Sequence, residues 1–571
     1  MGMNSPLHRR ILCWIMALCL MLSLTACWNP AATTPGVQGS TPTATTDPPT
    51  QPATDPTDPT NPTVPTVPTS PEPIREDLEY TLTQDDVDAF YLLLEQCETL
   101  AMAGEDMDAI DASSLELDER YAYLNTQCTI AMILHYCDTS DQALAQQYLD
   151  CSDICIQANS AYIQMARRVY LSDTPAKDIL FEDWTEQDFS MLMAYDEEIA
   201  LLRQRNEEIT LEYYETSSDD KKIRLYIEFV QNNNTIAQYF GYDNYYEYAY
   251  ELVYGRDYRP EELEQMRRYA KDYVAASFHQ AYLNYYHAAS NLSQTDWNGL
   301  NDFLEADYNS AGRNYVELYI QAVPDSMAEA MNRMLNCDSL FATKQTAKDG
   351  AFTTMIGDRS FCYFSPDYAN SSTVIHEGGH YYASLYTNLD AVPLDLAEVH
   401  SQGNEWLFIH AMKDHMGSAQ HDALVDFRIL NDMATVMICL MVDEFESRVY
   451  TTDISEFTAE DFDALMEAVA TQYFSMAYIT NYITDIQWYW RMVVVDQPVY
   501  YISYAVSAIA ALDLYTVAVE DYETAVAAYQ MLCEGLDEEL GFLGNLDAAG
   551  LAGPFQEEFY QRLVRLVEGH T

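Results

Sequence analysis

Basic side chains are scarce in this 571-residue chain: 28 Lys and Arg stand against 90 Asp and Glu, a formal net charge of −62. Such a surface repels phosphate backbones and anionic lipid headgroups, which excludes nucleic acid as a partner. What it attracts is cations, metal ions and basic ligands. Histidine is also scarce, at 11 residues, so two of them close together carry information. No Cys-x-x-Cys pair occurs, so nothing suggests a zinc ribbon. With Cys13, Cys19 and Cys27 set aside in the N-terminal segment, nine cysteines remain, an odd number at irregular spacings. Most read as buried apolar residues, with room for one or two disulfides among Cys97, Cys128, Cys137, Cys151 and Cys155. Cys151 and Cys155 form an i, i+4 helical pair.

Apolar periodicity is missing from Trp28 to Pro73, where proline, threonine and aspartate dominate. That stretch cannot bury a core and reads as an extended spacer over 27–76. Before it, His8, Arg9 and Arg10 precede an apolar run, Ile11 to Leu24, too short for a membrane span. This is the pattern of a secretory signal peptide, residues 1–26. Leu24-Thr25-Ala26-Cys27 resembles the bacterial lipobox, which implies membrane attachment through a lipidated Cys27 at the extracellular face of the cell.

Hydrophobic residues make up 49% of the chain, so the remainder is globular. Residues 77–345 repeat apolar side chains at helical spacing, as in "TQDDVDAFYLLLEQCETLAM" with its start signal at Thr83–Asp86, and read as an N-terminal helical lobe. The pattern weakens at 346–370, where Gly350 and Gly357 punctuate short runs rich in Phe, Tyr and Thr; two or three small strands are predicted there. Helical signals return at Thr373 and continue to the end, so 346–571 reads as a second region, the catalytic one. The 45 tyrosines read first as packing residues with wet hydroxyls.

The stretch Ser372–Tyr382, "STVIHEGGHYY", lies in that second region. On a helix His376 and His380 share one face a turn apart, a spacing that suits tetrahedral Zn2+. Glu377 is turned about 100° away, too far to ligate the same ion but able to reach a water there and take its proton. Gly378 and Gly379 are poor helix formers and point to close approach by another segment. Asn370, Ser371, Ser372 and Thr373 offer helix N-caps. For a third ligand, "LDLAEVHSQGNEWLF" offers Glu398, His400, Glu405 and His410. Glu398 and Glu405, seven apart, lie on one helical face, and His400 is turned away from Glu398.

His376-Glu-Gly-Gly-His380 and Glu398-Val-His-Ser401-x-x-x-Glu405 together resemble the thimet oligopeptidase and oligoendopeptidase F family of zinc metallopeptidases. The resemblance implies a mainly α, multi-helical zincin-like fold, with a small sheet near the histidine helix and helical lobes around a substrate channel. It also implies one Zn2+ held by His376, His380 and Glu398, with Ser401 and Glu405 supporting the ligands. The eighteen positions from His380 to Glu398 are fewer than is usual in that family, and Glu405 lies at the more usual distance. The segment "DQPVYYISYAVSAIAALDLY" is similar to a tyrosine-rich family segment, and Tyr501 and Tyr504 match the pair that faces the scissile carbonyl. Family members often carry a histidine shortly before it; here Arg491, Asp496 or His400 is left to fill that place.

The resemblance extends over roughly 79–568 and implies hydrolysis of short peptides by a monomer, with water activated by Glu377 and the oxyanion held by Tyr504 and Tyr501. The substrate backbone is predicted to lie antiparallel to the strand within "SFCYFSP". The alternative is a catalytically silent, peptide-binding surface lipoprotein of the same fold.

Overall fold

The computed structural model describes residues 78–569, apart from parts of 182–196, residue 306, 388–391, most of 475–496, and 538–539. The signal segment, Cys27 and the Pro/Thr-rich spacer lie outside the described residues.

Helices dominate. The chain opens with three long ones, α1 (Gln84–Ala103), α2 (Met107–Cys137) and α3 (Gln142–Leu171). Thr83 caps α1 in a reciprocal box with Asp86, and Gly104 ends it at φ +61°, a left-handed turn that glycine adopts without strain. Phe90, Leu117, Leu124 and Tyr162 pack these helices around a core of their own. The main core holds residues from Ile199 to Val567 and so runs across position 345.

The predicted sheet sits between the main core and a smaller third cluster. Its strands are β1 (Ser339–Phe341), β2 (Ala351–Ile356) and β3 (Arg359–Phe364), in the order β1-β3-β2. β1 starts before the range the sequence suggested. It is too short, at three residues, to show alternation. β2 and β3 form an antiparallel hairpin turning at Gly357, φ +66°. Phe352, Phe361 and Tyr363 face Ile130 and Ile133 of α2, and Ala351, Cys362 and Phe364 face the main core.

This order corrects one expectation. The strand within "SFCYFSP" is β3, central and paired on both sides, so it has no free edge for a substrate. β2 has one. The Ser365 N–H donates to the Gly350 carbonyl at 2.9 Å. By antiparallel alternation Phe352, Thr354 and Ile356 then bond β3, and Ala351, Thr353 and Met355 turn their backbone groups outward.

α4 (Asp325–Cys337) leads into β1, and beyond the sheet come α5 (Ser371–Ser384), α6 (Leu394–Ala411), α7 (Ser418–Tyr450), α8 (Ile502–Glu520) and α9 (Tyr522–Glu534). α8 is the one described helix long and apolar enough to cross a membrane, yet 83% of its most apolar window is buried inside the protein. It packs along α6 and α7 as a core helix.

The tyrosines differ from expectation in one respect. Tyr246 and Tyr250 are fully buried and donate to Asp443 at 3.0 and 2.6 Å. Arg267 joins the same carboxylate at 2.5 Å. A buried carboxylate needs donors, and these phenols supply them. Among the nine described cysteines none is bridged.

Candidate active site

α5 begins where its cap dictates: the Thr373 N–H donates to the Asn370 side chain at 2.9 Å. His376 and His380 follow one turn apart, with ring centroids 5.2 Å from each other. α6 then crosses α5 at the glycines. A Cβ on Gly379 would stand 2.2 Å from the His400 carbonyl oxygen and 2.8 Å from Ser401 Cα. Only glycine permits that crossing. Asn404 of α6 pins it by donating to the Ile375 carbonyl at 2.7 Å, and accepts from the Tyr319 hydroxyl at 2.6 Å. The Tyr529 hydroxyl donates to the His400 carbonyl at 2.6 Å.

The crossing delivers Glu398. Single donor atoms of His376, His380 and Glu398 all lie within 4.8 Å of one another, with His376 Nε2 and Glu398 Oε2 4.0 Å apart. Ligands about 2.1 Å from a tetrahedral ion stand roughly 3.4 Å from each other, so slight closure would hold one. His376 and Glu398 keep 21% and 13% side-chain exposure, which leaves one side open. Glu405 is placed differently: it accepts from His376 Nδ1 at 2.7 Å. That bond fixes the tautomer and leaves Nε2 free to point at the other donors. Arg428 holds the second oxygen of Glu405, and Ser401 Oγ donates to Glu398 Oε2 at 3.1 Å.

The electrostatics fit a cation. Burial lowers His376, but Glu405, Glu377 and Glu398 outweigh it and raise the ring to about 9; a positive charge is wanted here. Burial, with His376 beside it, depresses His380 to about 3, so this imidazole is neutral, as a metal ligand must be. Glu377 is 2% exposed and pushed up to about 7, chiefly by burial. Its carboxylate accepts from Thr353 Oγ1 at 2.8 Å, which ties it to edge strand β2. The donor set of two imidazoles and a carboxylate suits Zn2+.

Tyr501 caps α8 and Tyr504 lies in its first turn, both half-buried. Ser507, one turn on, donates to the Asp395 carbonyl at 2.7 Å, one turn before Glu398, so the tyrosine end of α8 meets the Glu398 end of α6. The approach to these tyrosines is strained, with Val499 at φ +64°, where a β-branched residue rarely sits. Two buried side chains hold that turn. Arg256 donates to the Val499 carbonyl and Ser503 Oγ, each at 3.0 Å. Glu446 accepts from the Val499 N–H at 2.9 Å.

His400 was one of three candidates for the place before the tyrosines. It is fully buried, and its Nε2 donates to the Leu532 carbonyl of α9 at 3.1 Å, so the ring braces α6 against α9 instead of reaching toward the tyrosines. Its orientation follows from the helix phase that turns it away from Glu398. His410 stacks on Tyr522 at 4.9 Å. Arg491 and Asp496 lie outside the described residues.

Sequence reasoning missed Thr353, Asn404, Arg428, Arg256 and Glu446. A signal existed for Arg428: in a chain so poor in basic residues, an arginine among Leu424, Val425, Phe427, Ile429 and Leu430 needs a buried anion.

No family model and no curated relative matches this sequence. Solved structures do match. PZ peptidase A, solved with an inhibitor, has a TM-score of 0.64 at 17% identity, over 86% of this chain and 98% of that one. A structure described as an oligoendopeptidase F from Bacillus anthracis str. Ames gives 0.62 at 16% identity, over 86% and 97%. A further oligoendopeptidase F gives 0.64 at 17%, over 87% and 98%. This chain has the oligoendopeptidase fold. Within that fold the crossing of α5 and α6 carries all three candidate ligands.

Proposed function

We propose that the chain is a zinc-dependent metalloendopeptidase that hydrolyses short peptides outside the cell, tethered to the membrane through lipidated Cys27. The observation that carries this reading is the convergence of His376, His380 and Glu398 within 4.8 Å, with buried Glu377 beside them. The fold, shared with solved peptidases, supports it.

His376, His380 and Glu398 would hold one Zn2+, which when bound polarises a carbonyl and makes water more acidic. Glu377 takes a proton from the water that attacks the scissile carbonyl carbon. Its elevated proton affinity then lets it return that proton to the departing amine as the C–N bond breaks. Thr353 keeps the carboxylate aimed while it does so. Tyr504, with Tyr501, donates to the oxygen on which negative charge develops. Edge strand β2 presents the outward backbone groups of Ala351, Thr353 and Met355 to an extended peptide. Thr353 thus links the strand that aligns the substrate to the base that cleaves it.

The test is hydrolysis of quenched fluorescent oligopeptides by the purified full chain, with and without chelator. Cleavage that chelation abolishes supports the reading. Binding without cleavage, by zinc-loaded protein across many peptides, would establish the silent binder instead.

A further inference from the structure

A second cluster of ligand-type side chains lies far from the first in sequence and in a different core. Cys128 of α2 meets Cys151 and Cys155 of α3, and the three sulfur atoms lie within 4.8 Å of one another. All are buried, at 0 to 2% exposure. They belong to the apolar core that Phe90, Leu124 and Ala131 share. We propose that Cys128, Cys151 and Cys155 form a binding site for a thiophilic metal ion, Zn2+ or Cu+, which ties α2 to α3.

Two observations favour a metal over a disulfide. Cys151 and Cys155 share one face of α3, where Cβ atoms at i, i+4 stand about 5–6 Å apart; a disulfide needs roughly 3.5–4.5 Å. That pair cannot bridge on an intact helix. A bridge from Cys128 to either one would strand the third thiol, whereas an ion takes all three at once. The Cys155 S–H donates to the Leu124 carbonyl of α2 at 3.5 Å, which keeps that sulfur at the junction of the two helices. The thiolate is the ligand form.

Binding replaces each S–H bond with a metal–sulfur bond. Three protons leave to water and no electron moves. The ion would stabilise the helix pair and leave the peptidase residues untouched, since those lie in the other core.

Cobalt(II) loading of the reduced full chain tests this. Sulfur ligation gives an intense near-ultraviolet charge-transfer band, which the His376, His380 and Glu398 donors cannot produce because none is sulfur. The wild-type chain is expected to show that band and to lose it on titration with Zn2+ or, in a separate arm, with Cu+; whichever ion displaces cobalt at the lower concentration is the better fit. Cys128→Ser with Cys151→Ser is expected to abolish the band and lower bound metal by about one equivalent. Cys337→Ser, at an exposed position, should change neither. The wild-type reading stands even if the double variant folds poorly. Absence of the band, failure of both ions to displace cobalt, or mapping of Cys128 into a disulfide in all of the purified protein overturns the proposal.

Discussion

Gly379 and Gly378 are neighbours on one helix, yet alanine at the two positions should behave oppositely. At Gly379 the new Cβ would meet backbone, at 2.2 Å from the His400 oxygen and 2.7 Å from its carbonyl carbon. Real contacts of that kind begin at 3.0 Å, so α6 must move away from α5. The move drags Glu398, two residues before His400, off the histidines. Overpacking of this kind costs about 1–3 kcal/mol, against about 1 kcal/mol gained in helix propensity, so a net loss of up to about 2 kcal/mol is expected. The functional effect should exceed the stability effect, because a misplacement of about 1 Å costs roughly 100-fold in rate. At Gly378 the Cβ would meet the Met331 sulfur at 2.4 Å. A thioether swings aside easily, and the propensity gain remains. Gly378→Ala should therefore melt within a degree or two of wild type and retain most activity. Gly379→Ala should melt lower, bind zinc more weakly and lose roughly 100-fold in kcat/KM. Thermal melts, zinc competition and peptide hydrolysis on the two variants decide it. Equal behaviour of the pair would refute the close crossing as the feature that builds the site.

Other residues give sharper single readings. Thr353→Val keeps shape but removes the hydrogen bond that lowers Glu377. A charged hydrogen bond is worth about 1.5–3 kcal/mol, so kcat/KM should fall tenfold or more while zinc affinity stays, as measured by hydrolysis alongside metal competition. Glu405→Gln breaks the tie between His376 and Arg428, and zinc affinity should drop roughly 10–100-fold. Arg256→Met frees the strained Val499 turn and should lower kcat with bound zinc unchanged. Glu446 gives a pH prediction: burial, aided by Asp443, raises its carboxyl well above the usual range. The folded state therefore keeps a proton that the unfolded state loses above about pH 4.3, and stability falls as pH rises from there toward the folded pKa. Glu446→Gln keeps an acceptor for Val499 without a proton to lose, so it should flatten that fall. A melting-temperature profile that still declines equally would remove Glu446 as the cause.

The sequence was most legible where the signal is local. Thr83 with Asp86 announces α1, Asn370 caps the histidine helix, and the seven-residue spacing of Glu398 and Glu405 puts both on the face of α6 that meets α5. Even the glycine pair announces a close crossing, although only the structure separates the two: Gly379 meets backbone and Gly378 meets a side chain. Strand order was not legible, because three short segments carry no information about which is central; the strand expected to align the substrate is the central one. The supporting residues were hidden for the same reason. Thr353 precedes Glu377 by 24 positions and Arg256 precedes Val499 by 243, and no local period links residues that only the topology brings together. Helical phase alone had already turned His400 away from Glu398; its partner, the Leu532 carbonyl, could be read only from the fold.

The central claim is that His376, His380, Glu398 and Glu377 form one metallopeptidase site. Titrating zinc into the chelated full chain, while following hydrolysis of a fluorescent peptide in wild type and in Glu377→Gln, tests it most directly. Wild-type activity should appear as zinc fills the site, and the variant should bind zinc as tightly yet leave the peptide intact. Hydrolysis that survives chelation, or a Glu377→Gln chain that cleaves as fast as wild type, would contradict the account.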